Sequence, residues 1–153
     1  RTRRMGSKVY ADVHIRVAQF ISVSEGHHIG DKVMKALKDR FERMIDVVVH
    51  IDPEDDSVPP VIDTLPQRPE IEGSVVSVLD RHGLALQRHG DKGYSGLILH
   101  FVGNQLNAQL VLPLPQTDQT DAIAEVASKV AIDIVASTPI HRAEVLFSPT
   151  AHP

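Results

Sequence analysis

Nine histidines and no cysteine set the chemistry open to this 153-residue chain. Without thiolates, disulfide frameworks, thiolate zinc sites, iron–sulfur clusters and cysteine nucleophiles are all excluded, so metal chemistry must use imidazole and carboxylate. His14 and His50 lie in segments whose residues alternate between apolar and polar, and Asp52 follows His50 by two positions. Residues two apart on a strand point the same way about 6.5–7 Å apart, so His50 and Asp52 share a face. If the strands of His14 and His50 are neighbours, two imidazoles and a carboxylate converge, a donor set that zinc accepts. His27 and His28, with Asp31 one helical turn on, are placed to add a further ligand. The same residues also suit a plain wet strand face, and no contiguous metal signature such as HExxH is present to decide between the two.

Other chemistry finds little footing. No GxSxG elbow marks a nucleophilic serine. Gly90, Gly93 and Gly96 are spaced GxxGxxG between strands, which fits a turn and matches neither a phosphate loop nor a dinucleotide fingerprint. His82, His89, His100, His141 and His152 are scattered. With no nucleophile and base to pair, the chain does not read as an enzyme.

The elements that position these residues follow from periodicity. Lys8 to Val17 alternates as a half-buried strand, with Tyr10, Asp12, His14 and Arg16 on its polar face. Ser22 and Glu25 form a capping-box pattern, and Ile29, Val33, Leu37 and Phe41 recur every four residues behind it, predicting an amphipathic helix of about 18 residues. Ile45 to Asp52 alternates again and Pro53 ends it. Prolines 53, 59, 60, 66 and 69 and a run of carboxylates make Glu54 to Arg68 a linker. Beyond it the spacing predicts a helix over 70–81, a short strand near 84–87, a turn at Gly90–Gly93, and a hairpin of 97–102 and 105–114 turning at Gly103-Asn104. A second long helix over 118–136 and a closing strand over 142–147 complete the chain.

Displaced by about 97 residues, the two halves fall on one another. Gly6 meets Gly103 at a hairpin turn, Ala11 meets Ala108, and Ile29 to Ala36 lies opposite Val126 to Asp133. A one-residue deletion then brings the closing strands together. The expectation is a tandem repeat of one small α/β unit, in which Val111, Leu146 and Ser148 replace His14, His50 and Asp52. Two unrelated units sharing strand–helix–strand spacing remain the alternative.

Charge divides unevenly. Residues 1–56 hold 10 Lys and Arg against 10 Asp and Glu, whereas residues 57–153 hold 6 against 10, which accounts for the whole net charge of −4. That balance argues against nucleic acid as a partner, because a phosphate-binding surface needs a basic excess. Arg1, Arg3, Arg4 and Lys8 crowd the amino end, as a solvated basic strand or a segment beside a membrane span would. No stretch approaches the ~18 apolar residues of a spanning helix, so any membrane part is expected outside this chain.

Three segments together carry a family likeness: RTRRMGSKVYADVHIRV, SVSEGHHIGDKVMKALKDRF and IDVVVHIDPED. They resemble the cytoplasmic carboxy-terminal domain of the cation diffusion facilitator transporters, which share an LRTRxSG strand, a V-D-x-H strand, an A-H-x-x-A-D helix and a closing V-x-x-H-x-D-P strand. The resemblance covers about residues 1–56 and implies an α+β, ferredoxin-like (metallochaperone-like) two-layer sandwich, here in two tandem copies. It implies His14, His27, His50 and Asp52 as metal ligands, with no counterpart for His28. It further implies a homodimer below the transmembrane domain of the same polypeptide, the cytoplasmic part of an integral (bacterial inner) membrane protein. Zn²⁺ or a similar divalent cation would be its regulatory or transported ion, controlling cation/proton antiport. The expected organisation is a dimerisation and metal-binding module over 1–56, a Pro-rich linker over 57–68, and a degenerate second module without ligands over 69–153. The competing expectation is a tandem oligomerisation or small-ligand-sensing module with no metal role.

Overall fold

In the computed structural model, which describes residues 1–54, 65–88, 94–114 and 120–149, the chain divides into two units, Arg1–Pro60 and Val61–Pro153. The GDKG turn and most of the expected linker lie outside the described residues.

The first unit begins with a hairpin, β1 (Thr2–Met5) and β2 (Lys8–Arg16), antiparallel and in register from Thr2↔Ala11 to Met5↔Lys8. Gly6 makes the turn at φ 63°, a backbone region that only glycine enters without steric cost. Helix α1 (Val23–Arg40) then carries the chain back, and β3 (Met44–Asp52) pairs parallel to β2. Ser22 starts the helix as expected, its hydroxyl accepting from the Glu25 N–H at 3.1 Å, and Lys38 and Arg40 complement the negative end of the helix dipole. The apolar residues of β2 and β3 face α1, with Ala11 and Val47 buried. Helix and sheet come close because Gly26 and Gly30 point at β3. A Cβ on either would stand 3.2 Å from Ile51 Cγ2 or 3.4 Å from Ile51 Cδ1.

The second unit repeats this plan behind an extra helix. Helix α2 (Arg68–Arg81) precedes a two-residue ladder of β4 (Gln87–Arg88) and β5 (Tyr94–Ser95). The hairpin β6 (Leu97–Val102) and β7 (Gln105–Pro113) follows, then α3 (Thr120–Ser137) and β8 (Arg142–Ser148), the last parallel to β7. The short strand expected near 84–87 is corrected to Gln87–Arg88; Leu84 to Leu86 is irregular chain.

The 97-residue displacement holds in the backbone. Lys8–Arg16 maps onto Gln105–Pro113 and Val23–Arg40 onto Thr120–Ser137, each pair 97 apart. Hairpin registers agree, Thr2↔Ala11 with Leu99↔Ala108, and Gly103 turns at φ 60° where Gly6 turns at 63°. The deletion is also present: Ala11 pairs with Val47, 36 positions on, while Ala108 pairs with Ala143, 35 on. Each unit is thus a two-layer α+β sandwich, and the two form a tandem pair of the ferredoxin-like class.

Packing differs more than topology. Ile71, Val75, Val78 and Leu79 of α2 are almost completely buried against Leu106, Leu110, Leu112, Val130, Ile134 and Ile140. Polar contacts pin that helix at both ends. Arg68 donates to the Leu97 carbonyl at 3.2 Å, His82 Nε2 lies 2.7 Å from Asp133 Oδ2, and Arg81 donates to Ser137 Oγ at 3.2 Å.

Candidate metal-binding site

The parallel register of β2 and β3 places His14 beside His50 and Arg16 beside Asp52. Because Ala11 and Val47 point toward α1, the even-numbered residues of β2 and, from Asp46 onward, of β3 emerge from the opposite, open face of the sheet. Three of the four expected ligands therefore gather there. The imidazoles of His14 and His50 stack with centroids 4.5 Å apart and planes 10° from parallel. His14 Nδ1 donates to Asp52 Oδ2 at 2.8 Å; the His14 side chain is 57% exposed and that of Asp52 only 15%.

That bond assigns the ring's roles. An ionised carboxylate only accepts, so Nδ1 carries a proton, and in the neutral ring Nε2 keeps its lone pair for a cation. A carboxylate behind an imidazole is the arrangement that orients metal-ligating histidines and raises their basicity. Asp52 thus acts on His14 in this geometry, although its second oxygen is still able to accept.

The stacking also sets a condition. A metal ion lies in the plane of each imidazole that binds it, about 2.0–2.1 Å from the nitrogen. Nearly parallel planes 4.5 Å apart do not meet at one ion, so sharing a cation requires one ring to turn. His50 is exposed and has room to do so. In keeping with this, no group of three or more His, Asp or Glu side chains among the described residues is already arranged around an ion position.

His27 stands elsewhere. It is the fifth residue of α1, its Nε2 3.6 Å from Asp31 Oδ2, and lines a groove with Ile51 and Pro53. Ile51 belongs to the helix-facing side of the sheet, so β2 and β3 stand between His27 and the stacked pair. Helical spacing could not anticipate this, since it says which residues share a helix face but not on which side of a sheet the helix lies. His28 is exposed on the same turn. The groove, about 360 Å³ and largely apolar, was not anticipated either: Val17 to Ile21 gave no signal beyond the approach to a helix cap.

In the second unit the matching register pairs Val111 with Leu146, followed by Ser148 beside Pro113, so the imidazole–carboxylate cluster is confined to the first. His82 serves as the helix pin described above, and His89 and His152 lie outside the described residues.

The topology, the strand histidines and the closing aspartate now stand together in one unit. Residues 1–54 match the cytoplasmic domain of cation efflux proteins. Within this segment the chain is 43% identical over 53 residues to metal tolerance protein C1 of Arabidopsis thaliana, covering 35% of this chain and 11% of that protein. Over 51 residues it is 39% identical to metal tolerance protein 2 of Oryza sativa subsp. japonica, covering 33% of this chain and 13% of that one. The chain therefore spans a small part of the length of these relatives. Two solved MamM-CTD structures, a single- and a double-substitution variant, each superpose with a TM-score of 0.43 at 14% identity. They cover 54% of this chain and 96% and 93% of their own. No helix among the described residues is long and apolar enough to cross a membrane.

Proposed function

We propose that the first unit is the cytoplasmic regulatory domain of a membrane transporter for divalent cations, binding zinc or a similar ion and dimerising in response. The observation that carries this reading is the His14–His50–Asp52 cluster on the open sheet face, inside the segment similar to cation efflux proteins. In it, His14 offers Nε2, His50 turns out of the stack to offer a second nitrogen, and Asp52 holds His14 and neutralises part of the charge. Zinc takes three or four protein ligands. One copy contributes two or three here, so a second copy supplies the remainder and the ion bridges the dimer. Metal then favours the bridged arrangement in proportion to its preference for it. His27 belongs to this set by likeness alone; its place on the far side of the sheet makes it a ligand to a separate ion or to none.

Titrating Zn²⁺ calorimetrically into the wild type and into His14→Ala/His50→Ala tests the assignment. The wild type should release heat that the variant lacks, and equal heats in both would remove the site. Sedimentation with and without zinc should show the dimer fraction rising with metal. The pre-stacked, hydrogen-bonded rings also suit a second reading, an oligomerisation module whose histidines are surface residues. Dimerisation with no metal-dependent change in melting temperature would select that one.

A further inference from the structure

The first unit is polarised from end to end, and the end remote from the histidine cluster has no role in the reading above. The β1–β2 turn, the starts of β2 and β3 and the last turn of α1 all meet there, tied by Val9 N–H to the Arg43 carbonyl at 2.8 Å and Met44 N–H to the Phe41 carbonyl at 2.9 Å. This end presents Arg4, Lys8, Lys38, Arg40 and Arg43, all exposed. Among the described residues, Lys8, Lys38, Arg40 and Arg43 have no ion-pair partner, and Arg4 bonds only the Gly6 carbonyl. The acids nearby are fewer: Asp39 is held by Lys35 at 2.6 Å, leaving Glu42 and Asp46. Between the cations stand three large apolar side chains open to solvent, Met5 at 67%, Phe41 at 51% and Ile45 at 48%. Glu25, Asp52 and Glu54 lie at the opposite end together with Arg16, and Asp31 sits at mid-helix.

Cations alone would mark a solvated surface. Cations ringing exposed apolar side chains are the combination that suits the interface of an anionic bilayer, where lysine and arginine meet headgroup charge and the apolar groups enter the acyl boundary. The corresponding turn of the second unit, Phe101 to Gln105, has no charged residue, and Ile140 beside it is buried. The combination is therefore not imposed by the shared fold.

We infer that this end of the first unit docks on an anionic lipid surface through Arg4, Lys8, Lys38, Arg40 and Arg43 around Met5 and Phe41. The surface is separate from the metal cluster, and although a transporter domain would have a bilayer at hand, the test below reads neither transport nor metal.

The full chain is mixed with phosphatidylcholine vesicles with and without phosphatidylserine, and the bound fraction is measured by co-sedimentation. Binding should require phosphatidylserine, fall with added salt, and weaken about fivefold for each cation removed in Lys38→Ala/Arg40→Ala/Arg43→Ala. Arg4→Ala/Lys8→Ala repeats the measurement without touching the helix end, and circular dichroism checks that both variants fold. Met5→Ser/Phe41→Ser should also weaken vesicle binding while leaving any binding to soluble polyglutamate unchanged. Equal binding to neutral and anionic vesicles, no binding, or folded charge variants that bind as wild type would each overturn the proposal. Polyglutamate binding as strong as vesicle binding and indifferent to Met5→Ser/Phe41→Ser would overturn it in favour of an acidic protein partner.

Discussion

The two units share a backbone plan down to the turn glycine and the strand register, yet they divide their residues in opposite ways. In the second, α2 adds four side chains to the core, and Val130, Ile134, Leu106 and Leu110 become almost inaccessible. Their counterparts 97 positions earlier, Val33, Leu37, Val9 and Val13, are half-buried, and the core of the first unit reduces to Ala11 and Val47. Full burial of an aliphatic side chain contributes about 1.5–3 kcal/mol relative to exposure, so the difference is large on the scale of a domain's stability. On the open sheet faces the contrast runs the other way: the first unit carries stacked imidazoles and a carboxylate where the second carries Val111, Leu146 and Ser148. One copy is built around its core, the other around its surface.

The most sensitive way to break this comparison is to make the same truncation in both copies. Val130→Ala should cost about 2–3 kcal/mol and Val33→Ala less than about 1 kcal/mol, read from urea denaturation of the full chain. Equal costs would mean that the two cores are equally developed and the contrast is false. A smaller effect separates the helices by their glycines. Gly73 of α2 has nothing within 4 Å of an added Cβ, so Gly73→Ala should stabilise by about 0.5–1 kcal/mol. Gly26→Ala meets Ile51 Cγ2 at 3.2 Å and should lose that gain or reverse it. A melting temperature that rises equally for both would show that α1 is not held close to β3. The smallest effect concerns α3, where the hydrogen bond and charge of Lys129 hold the Glu125 carboxyl below the usual carboxylate range. A lowered folded value means that the stabilisation is complete above the unfolded pKa, about 4.3, and fades as pH falls through the folded one. An NMR titration should place the Glu125 midpoint below the ordinary glutamate value, about 4.3, and Lys129→Ala should raise it.

How much of this was readable in advance depended on whether burial left a period in the chain. β2, β3 and both long helices each have one buried face, so alternation or four-residue spacing revealed them, and Ser22 with Glu25 fixed the start of α1. β1 was legible through the repeat and the family likeness and not through periodicity, because all four of its residues are exposed and an edge strand with two wet faces has no alternation. The β4–β5 ladder, two residues on each side, is too short to carry a pattern. For the site, strand parity placed His50 and Asp52 together and offered His14 on a neighbouring strand and His27 or His28 on the helix; the likeness to a known family then chose His27 and left out His28. Parity could not show that His14 and His50 stack, which follows from the β2–β3 register, nor that His27 lies across the sheet, which follows from the side on which α1 packs.

The position of β3 at the margin of its sheet has a consequence for self-association. Among the described residues its nine-residue outer edge has no neighbouring strand, and such an edge is a template for strand addition. An antiparallel pairing of two copies centred on Val49 would set Asp46 opposite Asp52, like charges that repel across a ladder, whereas one centred on Val48 sets Asp46 opposite His50. The charges along β3 thus act as a register code, tolerating one alignment of two edges and penalising its neighbour.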